Sequence, residues 1–274
     1  MPSKYRRWGF VDAVCPESEP YLKRLETVMT EFYNQQAINQ EYWIYAEHGN
    51  EQWQPQTHPY HCHLKQLIGE QSTIIDFGCG SGLFLQLLYE CRQYRHGFGI
   101  DTDAGAIEDA VRSLGQRGPF PITYQQATPQ NILRRLQPAF FDIIFCQEVL
   151  WMNQQLRPIA ETLFQLLKPG GSCYCTVGCH GDNPLWLFRK DRLEVEGHES
   201  HTHHIDEIAE VFSAAGFVVG MRRLPLDGFI MFHPQATALN SGSFSKLASS
   251  TYEHKMLFYF GKTEQIGMPE SIHN

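Results

Sequence analysis

The sequence IIDFGCGSG, residues 74–82, joins a short apolar run to an aspartate and to three glycines at Gly78, Gly80 and Gly82. Glycines at the end of a buried strand let a ligand approach the backbone closely. A dinucleotide loop of the form G-x-G-x-x-G would need its third glycine at position 83, which is leucine in this chain. The match to a pyrophosphate loop is therefore partial. A tight strand-to-helix turn without a ligand is the alternative.

Two aspartates accompany this loop. Asp76 precedes the first glycine by two residues, and Asp101 follows the next apolar run, GFGI, 25 residues after Asp76. A carboxylate at the end of the second strand can accept hydrogen bonds from the hydroxyls of a ribose. A single aspartate at a strand end is otherwise often a helix N-cap. The position of Asp101 after a glycine loop favours the ligand-binding interpretation.

The elements that must position these residues follow a regular pattern, because apolar runs alternate with helical periodicity from residue 72 onwards. We expect strands over 74–77, 97–100, 122–124, 141–146, 172–178, 217–224 and 256–260. We expect helices over 83–89, 104–114, 131–136, 156–167 and 205–215. The alternation predicts an α/β fold with a doubly wound, seven-stranded and mainly parallel sheet, which binds ligands at the carboxyl ends of its strands.

The domain organisation follows from shifts in composition. Residues 1–70 are dense in aromatic and turn residues, and we interpret them as an N-terminal helical lid. Residues 71–262 form the expected core domain, in which 225–255 is a loop-rich insertion before the last strand. Residues 263–274 are expected to form a flexible tail.

Four motifs, in this order, resemble those of the class I S-adenosylmethionine-dependent methyltransferases. Residues 76–82 match the family's D-x-G-x-G-x-G loop, and Asp101 matches the acidic end of its second strand. Residues 141–150 match its F-D fourth-strand signature, and residues 167–171 match its L-K-P-G-G turn. The resemblance spans about residues 72–224. It implies the Rossmann-like methyltransferase fold, methyltransferase activity and S-adenosyl-L-methionine as the cofactor.

The resemblance also implies which residues bind the cofactor. The glycine loop would line the methionine part, and the ends of the second and third strands would hold ribose and adenine. The end of the fourth strand would also contribute. The implied residues are Asp76, Gly78, Cys79, Gly80, Gly82, Asp101, Thr102, Ala127, Thr128, Cys146 and Gln147. Many members have an aspartate after the third strand to meet the adenine amine. This chain has Ala127 and Thr128 there, so that contact is expected to be weaker or to involve backbone only.

Methyl transfer from a sulfonium is a direct displacement, which needs an aligned nucleophile, a dry pocket and in some cases a base. We expect no metal. His180, just after the fifth strand, is the first candidate for a general base because a histidine titrates near neutrality. Glu148, just after the fourth strand, is the second candidate. The alternatives are a packing or capping role for His180 and a solvated or cofactor-side carboxylate for Glu148.

The remaining candidates are expected to contact the methyl acceptor. Tyr42 and Tyr45 come from the lid, and Trp151 follows the fourth strand. His203 lies in a histidine-rich loop, and Phe229 and Phe232 lie in the insertion. Together they predict an enclosed and largely apolar site for a small organic molecule. The histidine cluster at 198–204 could contact substrate, bind a metal or form an exposed polar loop.

Composition limits the function classes. The formal net charge is −8, and the scattered lysines and arginines form no basic stripe for nucleic acid. No apolar run approaches the roughly 20 residues of a membrane span, and no signal peptide is found. Most of the eight cysteines lie in apolar runs, which favours reduced thiols and a cytoplasmic location. A monomer or homodimer is expected.

Several functional hypotheses remain open at this point. O-methylation of a small molecule is the leading hypothesis, and N- or C-methylation of a small metabolite is the first alternative. A non-catalytic S-adenosylmethionine-binding partner protein is another. A nicotinamide dehydrogenase would leave the LKPGG turn unexplained. Methylation of bases is disfavoured because the fourth strand ends in CQEV instead of an N/D-P-P-Y tetrapeptide.

Overall fold

The structure is a computed structural model, and it describes residues 68–91, 93–129, 131–195, 197–223 and 243–263. Almost all of the expected lid, most of the expected insertion and the tail beyond residue 263 lie outside the described residues. The same is true of four predicted acceptor contacts, Tyr42, Tyr45, Phe229 and Phe232.

The core is a seven-stranded sheet with the strand order β3-β2-β1-β4-β5-β7-β6. The strands are β1 (Thr73–Phe77), β2 (His96–Asp101), β3 (Ile122–Gln126), β4 (Phe141–Gln147), β5 (Leu167–Val177), β6 (Val218–Arg223) and β7 (Met256–Gly261). All neighbouring strands pair in parallel except β7, which runs antiparallel to both β5 and β6. The predicted α/β fold with a mainly parallel, seven-stranded sheet is confirmed.

The described residues form seven α-helices around this sheet. They are α1 (Leu83–Cys91), α2 (Ala104–Arg117), α3 (Ile132–Arg135), α4 (Arg157–Leu166), α5 (Trp186–Val195), α6 (Ile205–Ala214) and α7 (Phe244–Tyr252). A short 3₁₀ turn, Leu150–Met152, follows β4. No helix among the described residues is long and apolar enough to span a bilayer.

Three local features differ from the sequence-based expectations. Helix α5 was not expected, because it exposes Leu187 and Phe188 and so lacks a clear apolar period. Helix α7 lies inside the segment expected to be loop, and its N-cap Ser243 accepts a hydrogen bond from the backbone N–H of Lys246. The LKPGG motif lies within β5 instead of before it, where the pairing with β4 shifts register.

Both faces of the sheet are buried, which explains the continuous apolar runs of its central strands. Ile75 and Ile144 belong to the core on one face, together with buried residues of α4 and α6. Ile74 and Ile143 belong to the core on the opposite face, together with buried residues of α1 and α2. The alternation of side chains along β1 and β4 therefore fixes both helical layers.

Tyr124 of β3 links three elements near the glycine loop. An added Cβ at Gly99 of β2 would clash with the Tyr124 ring, and one at Gly82 would lie 2.5 Å from that ring and 2.7 Å from Cβ of Ala110. The Tyr124 hydroxyl donates a hydrogen bond to the carbonyl of Gly82. The third glycine of the loop thus makes room for an aromatic ring and for close packing between helix and strand.

We expect Gly99→Ala to destabilise the protein by roughly 1–3 kcal/mol, because the new methyl group enters space held by Tyr124. Gly115→Ala in α2 is the matched control, since an added Cβ there meets no atom within 4 Å. The control is expected to be neutral or to stabilise by about 0.5–1 kcal/mol. Urea unfolding followed by circular dichroism measures both variants, and equal stability of the two would contradict the packing described here.

Candidate active site

The glycine loop between β1 and α1 is tied to the end of β2 through its backbone. Gly78 and Gly80 have φ values of 85° and 54°, a left-handed conformation that favours glycine. The N–H groups of Gly78 and Cys79 both donate to the carbonyl of Ile100 at 2.8 Å. The loop therefore passes directly over the carboxyl end of the neighbouring strand.

Asp101 lies at that strand end and is almost completely buried. Its Oδ2 accepts a hydrogen bond from the Gly80 N–H at 2.7 Å, and its Oδ1 accepts one from the Asp103 N–H at 3.1 Å. Asp103, and not Asp101, is the N-cap of α2. The helix-cap alternative for Asp101 is thereby removed, and its carboxylate is fixed beside the glycine loop.

The residues predicted near adenine lie next to Asp101. The Ala127 N–H donates to the carbonyl of Asp101 at 2.9 Å, which places the end of β3 beside the end of β2. The Thr128 N–H donates to Oδ1 of Asn131 at 2.9 Å, and Thr102 accepts at its carbonyl from Gln126. The structure thus brings Thr102, Ala127 and Thr128 together around Asp101.

Asp76 and Cys146 hold more interior positions than the rest of the predicted cofactor set. Asp76 is buried within β1 and lies between Gly99 of β2 and Phe145 of β4 in the sheet register. Cys146 packs in the core, and its thiol raises the pKa of the neighbouring Cys175 beyond the effect of burial. Only the backbone of Cys146 could face a ligand at the sheet edge.

Glu148 follows β4 in a strained conformation. Its φ is 52°, an uncommon value for a residue with a side chain, at a cost of roughly 1–3 kcal/mol. The Glu148 N–H donates to the carbonyl of Thr176 in β5, which holds the backbone in place. The side chain is only 13% exposed, and its Oε1 lies 3.9 Å from Nζ of Lys255.

Five polar side-chain atoms near this edge are buried and have no hydrogen-bond partner among the described residues. They are Oε1 of Gln147, Oε2 of Glu148, Nε1 of Trp151, Nδ1 of His180 and Nδ1 of His254. Buried polar atoms in proteins are nearly always paired with protein or with bound molecules. Gln147 ends β4, and Glu148 and Trp151 follow it, so a polar ligand at the carboxyl edge could provide the hydrogen bonds that these side chains lack.

His180 is completely buried; its Nε2 makes a hydrogen bond within the protein, whereas its Nδ1 has no hydrogen-bond partner among the described residues. Its Nε2 lies 2.9 Å from the carbonyl of His254, so this nitrogen carries the proton and donates it. Its Nδ1 lies 3.5 Å from Oδ2 of Asp182. Burial lowers the pKa of His180 despite these two contacts, which favours the neutral form. The hydrogen bond of Nε2 supports the packing alternative for His180, and Glu148 remains the other candidate base.

The histidine-rich loop is spread over separate contacts. Both ring nitrogens of His203 face the protein, Nδ1 at 3.1 Å from Glu207 and Nε2 at 2.8 Å from the carbonyl of Asn153. His204 pairs instead with Asp182 at 3.1 Å. Within the described ranges no three histidine, cysteine or acidic side chains are arranged to hold a metal ion. His203 therefore braces the loop beside the buried Trp151.

Sequence reasoning missed three residues near Glu148: Cys179, His254 and Lys255. No motif marks these residues. His254 and Lys255 precede a strand whose antiparallel direction is not visible in the sequence. A shallow groove between α6 and β6 contains none of the predicted site residues and lies on a different part of the surface.

Comparison with known proteins finds similar methyltransferases. Residues 75–175 match the family model described as a methyltransferase domain. A ubiquinone biosynthesis O-methyltransferase from Xylella fastidiosa is 34% identical over 104 residues, which cover 38% of this chain and 41% of that protein. A ribosomal protein L11 methyltransferase from Paraburkholderia phymatum is 31% identical over 108 residues, covering 39% of this chain and 32% of that protein. The chain thus spans about two fifths or less of these relatives.

A solved structure shares the fold over a longer stretch. The methyltransferase in complex with the Trm112 activator of Haloferax volcanii superposes with a TM-score of 0.60 at 20% identity, covering 72% of this chain and 84% of that one. The fold is that of the Rossmann-like methyltransferases. Residues 75–175 are similar to a methyltransferase domain, in agreement with the resemblance that the motifs indicate.

The buried, neutral His180 predicts a dependence of stability on pH. Because its pKa is lowered from 6.5 in the folded protein, the unfolded chain binds more protons as the pH falls through about 6.5. The free energy of unfolding should therefore fall from about pH 7.5 to about pH 5, and His180→Gln should show a smaller fall. His96, whose pKa is also lowered by burial, keeps part of the slope in that variant. Urea unfolding across this range gives the slopes, and an unchanged slope in His180→Gln would contradict the assignment.

Proposed function

We propose that this protein binds S-adenosyl-L-methionine and transfers its methyl group to a small organic molecule, most readily to an oxygen atom. The observation that carries the proposal is the set of unpartnered, buried polar atoms at the carboxyl edge, beside the glycine loop and Asp101. The proposal of O-methylation draws on the Xylella fastidiosa relative, whose name states that chemistry.

The residues present fit the cofactor. The backbone of Gly78 to Gly80 would lie against its methionine part, and the fixed carboxylate of Asp101 would accept hydrogen bonds from the ribose. Thr102, Ala127 and Thr128 would surround the adenine, where two small side chains leave recognition mainly to the backbone. When bound, the cofactor supplies an electrophilic methyl group on a positively charged sulfur.

The chain's own contribution to transfer is alignment, exclusion of water and acceptance of a proton. Glu148 Oε2 would accept a proton from the acceptor, a role supported by its being buried and unpartnered among the described residues. Gln147 Oε1, from the preceding residue, is a second acceptor atom for a polar ligand. The hydrogen bond from His180 to the carbonyl of His254 holds the loop after β5 against the start of β7, next to Lys255.

A protein substrate is the second candidate, because one relative is named for methylation of ribosomal protein L11. N- or C-methylation of a metabolite and a non-catalytic binding role are further candidates. The net charge does not argue against a basic protein partner, since Asp and Glu outnumber Lys and Arg by 30 to 22 and opposite charges attract. We also propose a reducing, cytoplasmic location, because the five cysteines with described thiols are all unbridged.

Cofactor binding is tested with Asp101→Asn, which keeps the shape of the side chain and removes its charge. We expect the affinity for S-adenosylhomocysteine, measured by isothermal titration calorimetry, to fall by roughly 1–3 kcal/mol through weakened ribose hydrogen bonds. Asp109→Asn is the matched control, because Asp109 pairs with Arg112 on the surface of α2. Wild-type affinity in Asp101→Asn would refute the ribose assignment, and binding of NAD instead would refute the proposed function.

The acceptor class and the role of Glu148 are tested together with S-adenosylmethionine labelled in its methyl group. The protein is incubated with a small-metabolite extract and, separately, with ribosomal proteins. We expect label in the metabolite fraction, and we expect Glu148→Gln to lower its rate by roughly 10²–10⁴-fold. Label only in the protein fraction would favour the second candidate, and label in neither fraction despite cofactor binding would favour a binding role.

A further inference from the structure

Glu148, Cys179 and Lys255 converge where β4, β5 and β7 meet at the carboxyl edge. Strand β7 runs antiparallel to β5, so its first residue, Met256, pairs with Val177 at the end of β5. Lys255 immediately precedes β7 and therefore reaches the edge at which β4 and β5 end. Its Nζ lies 3.9 Å from Oε1 of Glu148, and both side chains are only 13% exposed.

The absence of a side chain at Gly178 makes this approach possible. A Cβ built on Gly178 would lie 2.5 Å from Nζ of Lys255, 2.6 Å from its Cδ and 2.9 Å from Oε1 of Glu148. The lysine side chain thus passes through the space that any other residue at 178 would occupy. Asn183 fixes this stretch of backbone by donating a hydrogen bond to the Gly178 carbonyl at 2.7 Å.

The two oxygens of Glu148 have different surroundings. Oε1 faces the Lys255 ammonium, whereas Oε2 is buried without a partner among the described residues. The left-handed backbone of Glu148 aims the side chain to this place, and the hydrogen bond from its N–H to Thr176 holds the backbone there. One oxygen is therefore held by a charge, and the other remains available to a ligand.

We propose that Lys255 is a positioning residue for methyl transfer: it holds Oε1 of Glu148 through the gap at Gly178 and thereby presents Oε2 to the acceptor. This inference rests on the proposed function. In the step, Glu148 Oε2 takes the proton of the acceptor's O–H or N–H group. The acceptor atom forms its bond to the methyl carbon, and the electron pair of the broken carbon–sulfur bond stays on sulfur.

The charged and titratable groups around Glu148 come from β5, the loop after it and the start of β7. They are Cys175, Cys179, His180 and Lys255. Cys179 is the useful reporter among them, since it is only half-buried whereas Cys175 is fully buried. Burial and the Glu148 carboxylate raise the pKa of the Cys179 thiol to about 12, and the charge of Lys255 opposes that rise.

Three variants change the contact between the lysine and Glu148. Lys255→Met removes the charge at nearly constant length, Lys255→Arg restores a charge, and Gly178→Ala places a methyl group between the Lys255 side chain and Oε1 of Glu148. Lys246→Met, on the exposed side of α7, is the control for the charge. Gly220→Ala in β6 is the control for the added methyl group, because its Cβ would meet Tyr259 only at an ordinary 3.7 Å.

The first measurement is the rate at which iodoacetamide alkylates Cys179, followed on its peptide by mass spectrometry. We expect Lys255→Met and Gly178→Ala to slow alkylation by about three- to tenfold, because the thiolate loses a nearby positive charge. Glu148→Gln should accelerate it, and Lys255→Arg and both controls should react like the wild type. Equal rates in the wild type and Lys255→Met would overturn the convergence of these groups.

The second measurement compares the affinities for S-adenosylhomocysteine and for sinefungin, an analogue with an amine-bearing carbon in place of the methyl-bearing sulfur. A presented Oε2 should bind the amine, so the wild type should prefer sinefungin. Lys255→Met and Gly178→Ala should reduce this preference at least about threefold, and Lys255→Arg should retain it. A preference that rises or stays constant in Lys255→Met would show that the lysine only neutralises Glu148, which overturns the proposal.

The two measurements separate this inference from the proposed function. If wild-type protein binds neither nucleoside, the proposed function fails, and the alkylation rates still report whether Lys255 and Glu148 meet. If both nucleosides bind equally well to every variant, cofactor binding stands and the role of Lys255 is refuted.

Discussion

The hydrogen bonds between the glycine loop and the end of β2 are the constraint on which this site depends. The N–H groups of Gly78 and Cys79 share the carbonyl of Ile100, and the next N–H in the loop, that of Gly80, binds the Asp101 carboxylate. These contacts need parallel pairing of β1 and β2 in one register. They bring the loop and the carboxylate into one site, although 21 residues separate Gly80 from Asp101.

Packing supports this constraint from the outer edge of the sheet. Tyr124 of β3 crosses over Gly99 of β2 and donates a hydrogen bond to the carbonyl of Gly82, so two neighbouring strands and the residue before α1 are held together. The Tyr124 ring leaves no room for a side chain at Gly82 or Gly99, so both positions require glycine for steric reasons. A methyl group at either position would act on the cofactor loop through stability, without touching a ligand.

The other half of the site depends on β7. This antiparallel strand brings Lys255 and His254 to the edge formed by β4 and β5, where Glu148 is held in a left-handed backbone conformation. His254 contributes its carbonyl to His180, which connects the loop after β5 to the start of β7. The ends of β4 and β5 and the start of β7 therefore form one arrangement. It includes the left-handed backbone of Glu148, the space at Gly178 through which Lys255 passes, and the buried His180.

The sequence by itself determined the class of fold, the glycine loop, Asp101 and the strand that carries Glu148, because these depend on local patterns and on parallel strands ending at one edge. It could not decide which polar residues near the edge face a ligand. His180 follows β5 as a base would, yet its ring is turned inward by the His254 carbonyl. Lys255 has no motif, and only the antiparallel pairing of Val177 with Met256, the residue after Lys255, places its charge beside Glu148. Such long-range placement is set by tertiary packing, which no local pattern encodes.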